Sequence, residues 1–132
     1  MKEGYFKYGV VGDKKSTRIT FNKKTKLSVY EKTKGKCAYC GCVIEIRKMQ
    51  IDHIVPIEVL GTNDLENLLP SCKMCNFYKS TYHIDLFRHK VETLVERLEK
   101  AFIFRLAVKY GLVEIKNKRI LFEFERIEKT NE

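Results

Sequence analysis

Cys37-Ala-Tyr-Cys40-Gly-Cys42 and Cys72-Lys-Met-Cys75-Asn76-Phe-Tyr-Lys79 bracket the stretch that decides this fold, with Ile51-Asp52-His53-Ile54-Val55-Pro56 between them. The two C-x-x-C pairs are separated by 31 residues. Each pair lets one tight turn present two thiolates, and four thiolates close the tetrahedral shell of a structural Zn²⁺, leaving no position for a substrate. An ion held by Cys37, Cys40, Cys72 and Cys75 staples two distant segments, so its binding free energy becomes folding free energy. The fifth cysteine, Cys42, lies too close to Cys40 for a second knuckle and is read as a spare.

Outward from the cysteines, Glu45 to Val55 reads as two short strands or one interrupted run, ended by Pro56. Residues 57–70 read as a loop with a turn at Gly61-Thr-Asn-Asp64, and Cys72 to Ser80 as the second knuckle opening into a helix. Upstream, Leu27 to Lys34 predicts a short helix with Leu27 and Tyr30 turned inward and Gly35 ending it. Short strands are expected near Tyr5–Val11 and Arg18–Phe21. Downstream, Phe87, Val91, Leu94, Leu98, Phe102 and Leu106 recur at helical spacing, in one long helix or two joined ones, with Gly111 as the C-cap. Leu112–Ile115 and Ile120–Phe124 alternate like strands, so a hairpin is expected there with Lys116 to Arg119 as its turn.

With 132 residues and 44% hydrophobic content, the chain fits one small domain that benefits from a staple. The net charge of +9 is unevenly spread: residues 1–36 carry 11 Lys/Arg against 3 Asp/Glu. A polyanion is the natural partner of such an arm, through phosphate contacts and counterion release. Lys14, Lys15, Arg18, Lys23 and Lys24 are its candidate nucleic-acid contacts. No apolar run approaches the roughly 18 residues of a membrane span, and Met1 to Val11 lacks the apolar core and small-residue cleavage site of a signal peptide. An intracellular protein acting away from membranes is the expectation.

The order of knuckle, Asp-His-Ile-x-Pro, Asn-Leu, knuckle and Asn-x-x-Lys resembles the HNH nuclease family, over roughly Tyr30 to Phe87. The resemblance implies an α+β chain with a ββα-metal core stapled by a four-cysteine zinc site. The core is then 30–87, preceded by a basic arm (1–29) and followed by a helical and hairpin extension (88–132), all in one domain (1–132). It further implies a metal-dependent DNA endonuclease with His53 as general base, a role suited to a neutral imidazole. Asp52 and Asn76 hold the catalytic cation, Asn67 orients His53 by hydrogen bonding, and Lys79 contacts a phosphate. Many members carry His where this chain has Asn76; an all-oxygen pair favours Mg²⁺ or Mn²⁺.

Double-stranded DNA is the expected substrate, read through its backbone, since the arm is rich in Lys. One active site per chain makes double-strand cutting the work of a homodimer or of successive nicks. The setting implied is cytoplasmic, in a prokaryotic or phage-encoded protein. Two other readings compete: a non-catalytic zinc-ribbon nucleic-acid-binding protein, and an RNA nuclease. His83, seven residues after Asn76, is read as a surface histidine with a lesser claim on the metal or a phosphate.

Overall fold

The computed structural model describes residues 19–131. The strand expected at Tyr5–Val11 and the arm residues Lys14, Lys15 and Arg18 lie outside this range. Two compact units divide the chain: one formed by residues 19–84 and 121–131 of the described range, the other by 85–120. No helix among the described residues is long and apolar enough to cross a membrane.

The first unit opens with helix α1, Lys23–Glu31. Asn22 starts it: the side-chain oxygen accepts the Thr25 N–H at 2.8 Å, satisfying one of the free donors of the first turn. That cap draws the helix four residues upstream of the expected Leu27 start. It also turns Val29 inward, while Leu27 stays half exposed. The chain then crosses Gly35, which takes a positive φ of 79° as expected of a helix-ending glycine. The first cysteine knuckle follows, closed by Cys37 N–H to Cys42 C=O at 2.7 Å and Gly41 N–H to Cys37 C=O at 3.0 Å.

A 3₁₀ turn at Ile46–Lys48 leads into strand β1, Gln50–His53, so Glu45 to Val55 yields one strand. β1 pairs antiparallel with β2, Leu68–Ser71, in the register Gln50↔Ser71, Ile51↔Pro70, Asp52↔Leu69, His53↔Leu68. Both strands are edges of a two-stranded ribbon, which is why Pro70 is tolerated in the second. The Pro70 carbonyl accepts the Ala38 N–H at 2.8 Å, tying the ribbon to the knuckle. Helix α2, Lys73–Lys79, follows directly, with Cys72 as its N-cap. Ribbon, helix and knuckles make the mixed α+β core that the sequence implies.

The second unit holds most of α3, Ile84–Glu92, then α4, Leu94–Leu98, and α5, Phe102–Lys109. The continuous helical pattern is therefore broken twice. At the first break Thr93 Oγ1 donates to the His89 carbonyl at 2.8 Å, and the Arg97 guanidinium donates to Thr93 Oγ1 at 2.8 Å and the Lys90 carbonyl at 2.7 Å. Such bonds from a threonine compete with helix continuation. Gly111 closes α5 in a Schellman motif: its N–H bonds Val108 C=O at 3.0 Å and Leu112 N–H bonds Ala107 C=O at 2.9 Å.

The expected C-terminal hairpin is not formed. Residues 114–122 carry no strand pairing, and the second half of the pattern opens helix α6, Glu123–Thr130. Glu125 decides the competition: its carboxylate accepts the Phe122 N–H at 3.1 Å, and two acidic residues sit in the first turn where the helix dipole favours them. Residues 121–131 cluster with the core unit instead of extending it. Phe124 N–H bonds the Ala38 carbonyl at 2.8 Å, and Phe122 and Phe124 stand edge-on to the Tyr39 ring at 5.3 and 6.2 Å. Edge-to-face pairs of this kind contribute roughly 0.5–1.5 kcal/mol beyond their burial. Truncating the buried Phe122 to Ala is expected to cost about 3–5 kcal/mol, read from chemical unfolding. A loss below about 1 kcal/mol would show that the C-terminal helix is not part of the core.

Candidate active site and cysteine cluster

The two knuckles meet as the spacing predicts. The Sγ atoms of Cys37, Cys40, Cys72 and Cys75 all lie within 4.8 Å of one another. Cys40 and Cys72 sulfurs are 3.9 Å apart, close to the roughly 3.8 Å edge of a tetrahedron with Zn–S bonds of about 2.3 Å. The Cys75 N–H reaches the Cys72 sulfur at 3.4 Å. The Cys37 thiol is pushed down to about 4, first by a hydrogen bond from the Cys75 thiol and then by neighbouring backbone N–H groups, against burial. Cys75 is pushed up by that same shared bond and by burial. Crowded sulfur of this kind holds a thiolate at Cys37 and suits a divalent cation that neutralises the rest; the residues fit Zn²⁺. Cys42 is exposed and not one of the four, its backbone carbonyl closing the first knuckle; its thiol borders those of Cys40 and Cys72, and desolvation followed by these contacts pushes it up to about 12.

Beside this cluster, a cleft of about 1200 Å³ is lined by Asp52, His53, Asn63 and Asn76, with Phe21 and Arg47 on its walls. Asp52 and His53 are neighbours on β1, so a regular strand would point them to opposite faces. His53 is the last residue of β1, and the pleat ends with it. Asp52 is buried to 7% exposure; His53 is half-buried and turned into the cleft, its ring 6.4 Å from that of Phe21. Asn76 reaches the same cleft from α2.

Asn67 does not touch the imidazole. Its amide accepts the Val55 N–H at 2.9 Å and donates to the carbonyls of Val55 at 3.0 Å and Thr62 at 2.7 Å, pinning the loop after His53. The reason is its place on the 3₁₀ turn Leu65–Asn67, facing the 54–62 backbone. The imidazole partner is Asn63, whose Oδ1 lies 2.9 Å from His53 Nε2. Gly61 allows this loop to fold so tightly: a Cβ there would lie 1.8 Å from the Val55 carbonyl oxygen.

Lys79, expected to contact a phosphate, is instead turned into the core. Its side chain is fully buried; Nζ lies 2.9 Å from Asp52 Oδ2 and donates to the His53 carbonyl at 2.9 Å. Spacing carries a signal of this, since Lys79 follows Cys75 by four residues and so shares its inward helix face. Tyr39, which no motif singles out within the first knuckle, donates its hydroxyl to the same Asp52 oxygen. Burial, and then the Asp52 charge, push the Tyr39 phenol up, so it remains a donor at neutral pH. Of the basic candidates, Lys23 lines the cleft, joined by Lys26; Lys24 is exposed and does not. His83 is half-buried and does not line the cleft.

A short antiparallel ribbon and a following helix present Asp, His and Asn to one cleft, the same unit that carries the four-cysteine cluster. Residues 37–81 match the family model described as HNH endonuclease. The Septu protein PtuB of Bacillus thuringiensis is 38% identical over 61 residues, 43% of this chain and 24% of that protein. YoqL, a prophage-derived protein of Bacillus subtilis named for the same endonuclease family, is 30% identical over 113 residues, 62% of this chain and 49% of its own length. The CRISPR-associated endonuclease Cas9 of Corynebacterium diphtheriae is 48% identical over 42 residues, 31% of this chain and 4% of that one. The chain thus spans at most about half the length of these relatives.

Metal analysis checks the cysteine assignment. Cys42→Ser is expected to keep a full complement of zinc and an unchanged melting temperature, whereas Cys75→Ser loses both. Loss of zinc from the Cys42 variant would overturn the ligand set.

Proposed function

We propose that this chain is a divalent-cation-dependent endonuclease that hydrolyses phosphodiester bonds of DNA, with His53 as general base and Asp52 and Asn76 as the cation's ligands. The observation that carries the reading is the convergence of these three side chains on one cleft, with His53 held at its rim by Asn63. With Nε2–H donating to the Asn63 amide oxygen, Nδ1 is the nitrogen left to take the proton of an attacking water. Asp52 and Asn76 offer only oxygen donors, which suit Mg²⁺ or Mn²⁺. Such an ion, when bound, supplies Lewis-acid stabilisation of the charge that develops on the phosphate and leaving oxygen. The zinc, with four thiolates around it, has no part in that chemistry.

The cleft's walls support a polyanionic substrate. Lys23, Lys26 and Arg47 line it, and residues 1–36 carry most of the chain's positive excess. Positive charge along a groove raises the local concentration of nucleic acid and weakens with salt. Backbone contact of this kind favours duplex DNA without strong sequence preference. Cutting both strands calls for two copies of the chain or successive nicks.

Plasmid cleavage with Mg²⁺ or Mn²⁺ tests this. His53→Ala is expected to lose roughly 10²–10⁴-fold in rate, the usual contribution of a positioned base. Asn63→Ala is expected to lose less, because the imidazole remains while its orientation relaxes. A wild-type chain that binds DNA yet fails to cut it with any divalent ion supplied would sink the enzyme reading in favour of a binding module. Preferential digestion of structured RNA in a parallel reaction would reassign the substrate.

A further inference from the structure

We propose that Tyr39 and Lys79 are positioning residues for the catalytic cation: together they clamp Oδ2 of Asp52 and leave Oδ1 as the oxygen offered to the cleft. The proposal rests on the reading of Asp52 as a cation ligand. Two buried donors from different elements converge on one atom. Tyr39 comes from the first knuckle, between Cys37 and Cys40, and is 4% exposed; Lys79 comes from α2 and is 0% exposed. Neither reaches Oδ1. No buried side-chain polar atom among the described residues lacks a partner, so Oδ1 is not a buried orphan and opens on the cleft that Asp52 lines.

A carboxylate held by one donor can rotate and present either oxygen. Held by two donors on the same oxygen, it presents one lone-pair direction, which a small ion with strict geometry requires. Lys79 also grips the His53 carbonyl, so one ammonium fixes the ligand and the main chain of the base together. Tyr39 carries the rigidity of the cysteine cluster into the same carboxylate, because its backbone lies between two of the four thiols. Its ring is caged by Phe122 and Phe124. The zinc site then acts on catalysis through geometry alone.

Tyr39→Phe removes the donor and keeps the caged ring. The full zinc-loaded chain carrying it should retain its zinc and its melting temperature to within a few degrees. The Mn²⁺ concentration for half-maximal cleavage should rise roughly tenfold or more, the usual effect of losing a partner to a metal ligand. Saturating Mn²⁺ should restore most of the rate. A merely structural role would lower stability and leave the Mn²⁺ dependence in place. A wild-type Mn²⁺ dependence in Tyr39→Phe overturns the proposal. Lys79→Met leaves a buried carboxylate alone and is expected to destabilise the fold strongly; Lys79→Met combined with Asp52→Asn should regain much of that loss. Strictly additive losses count against the clamp. Direct Mn²⁺ titration by electron paramagnetic resonance separates the two claims. Asp52-dependent Mn²⁺ binding without cleavage defeats the nuclease reading and leaves the clamp standing. Cleavage with unaltered Mn²⁺ affinity in Tyr39→Phe does the reverse, and a wild type that neither binds Mn²⁺ nor cuts defeats both.

Discussion

An ammonium with no exposed surface must find anions or carbonyls, because an isolated buried charge costs several kcal/mol. Lys79 finds Asp52 Oδ2 and the His53 carbonyl, each at 2.9 Å. That single side chain joins α2 to β1 at the point where the strand delivers its chemistry. Asp52 in turn cannot be buried without Lys79 and Tyr39. The packing of ribbon on helix, the orientation of the carboxylate and the strand-end position of His53 are therefore one constraint seen from three sides. A hydrophobic pair of similar volume could fill the same space at no loss of stability. What it could not do is hold a charged oxygen at the edge of a cleft.

The cysteine cluster was legible because its signal is local and discrete: two C-x-x-C pairs state both the ligands and the joining of two distant segments. Asp52, His53 and Asn76 were legible for a related reason. Framed by knuckles at fixed distances, they have few ways to sit other than around one cleft, and the structure brings all three to it. Their chemical roles remain a reading of that geometry. The helix after the second knuckle and the antiparallel ribbon also follow from short-range patterns.

Other features were decided by interactions with little trace in periodicity. Ile120-Leu-Phe-Glu-Phe124 alternates as a strand would, yet Glu125 caps a helix and Phe122 and Phe124 find the Tyr39 ring as a partner. Alternation identifies which residues seek burial; it does not say whether another strand or an aromatic cage buries them. Asn63 and Asn67 show a similar limit. Both are amides on one loop, four residues apart. The short 3₁₀ turn at Leu65–Asn67 and the close approach at Gly61 decide which faces the imidazole and which holds the backbone. Asn67 bonds the loop backbone, and Asn63 lies against the ring.

Lys79 exposes a different lesson. A lysine near a cleft proposed to take a phosphodiester invites a role in holding it, and the net charge of +9 reinforces the invitation. Helical periodicity alone argued otherwise, since Cys75 and Lys79 must share a face and Cys75 points at the metal cluster. Where chemical analogy and geometry disagree over a charged residue, burial is the stronger guide, because desolvating a charge costs more than a surface contact with a screened phosphate contributes. Among the described residues, the exposed cations at the open cleft are Lys23, Lys26 and Arg47. Among the described residues the positive charge thus falls into two settings: a buried ammonium paired with Asp52, and an exposed set at the cleft whose proposed partner is a polyanion.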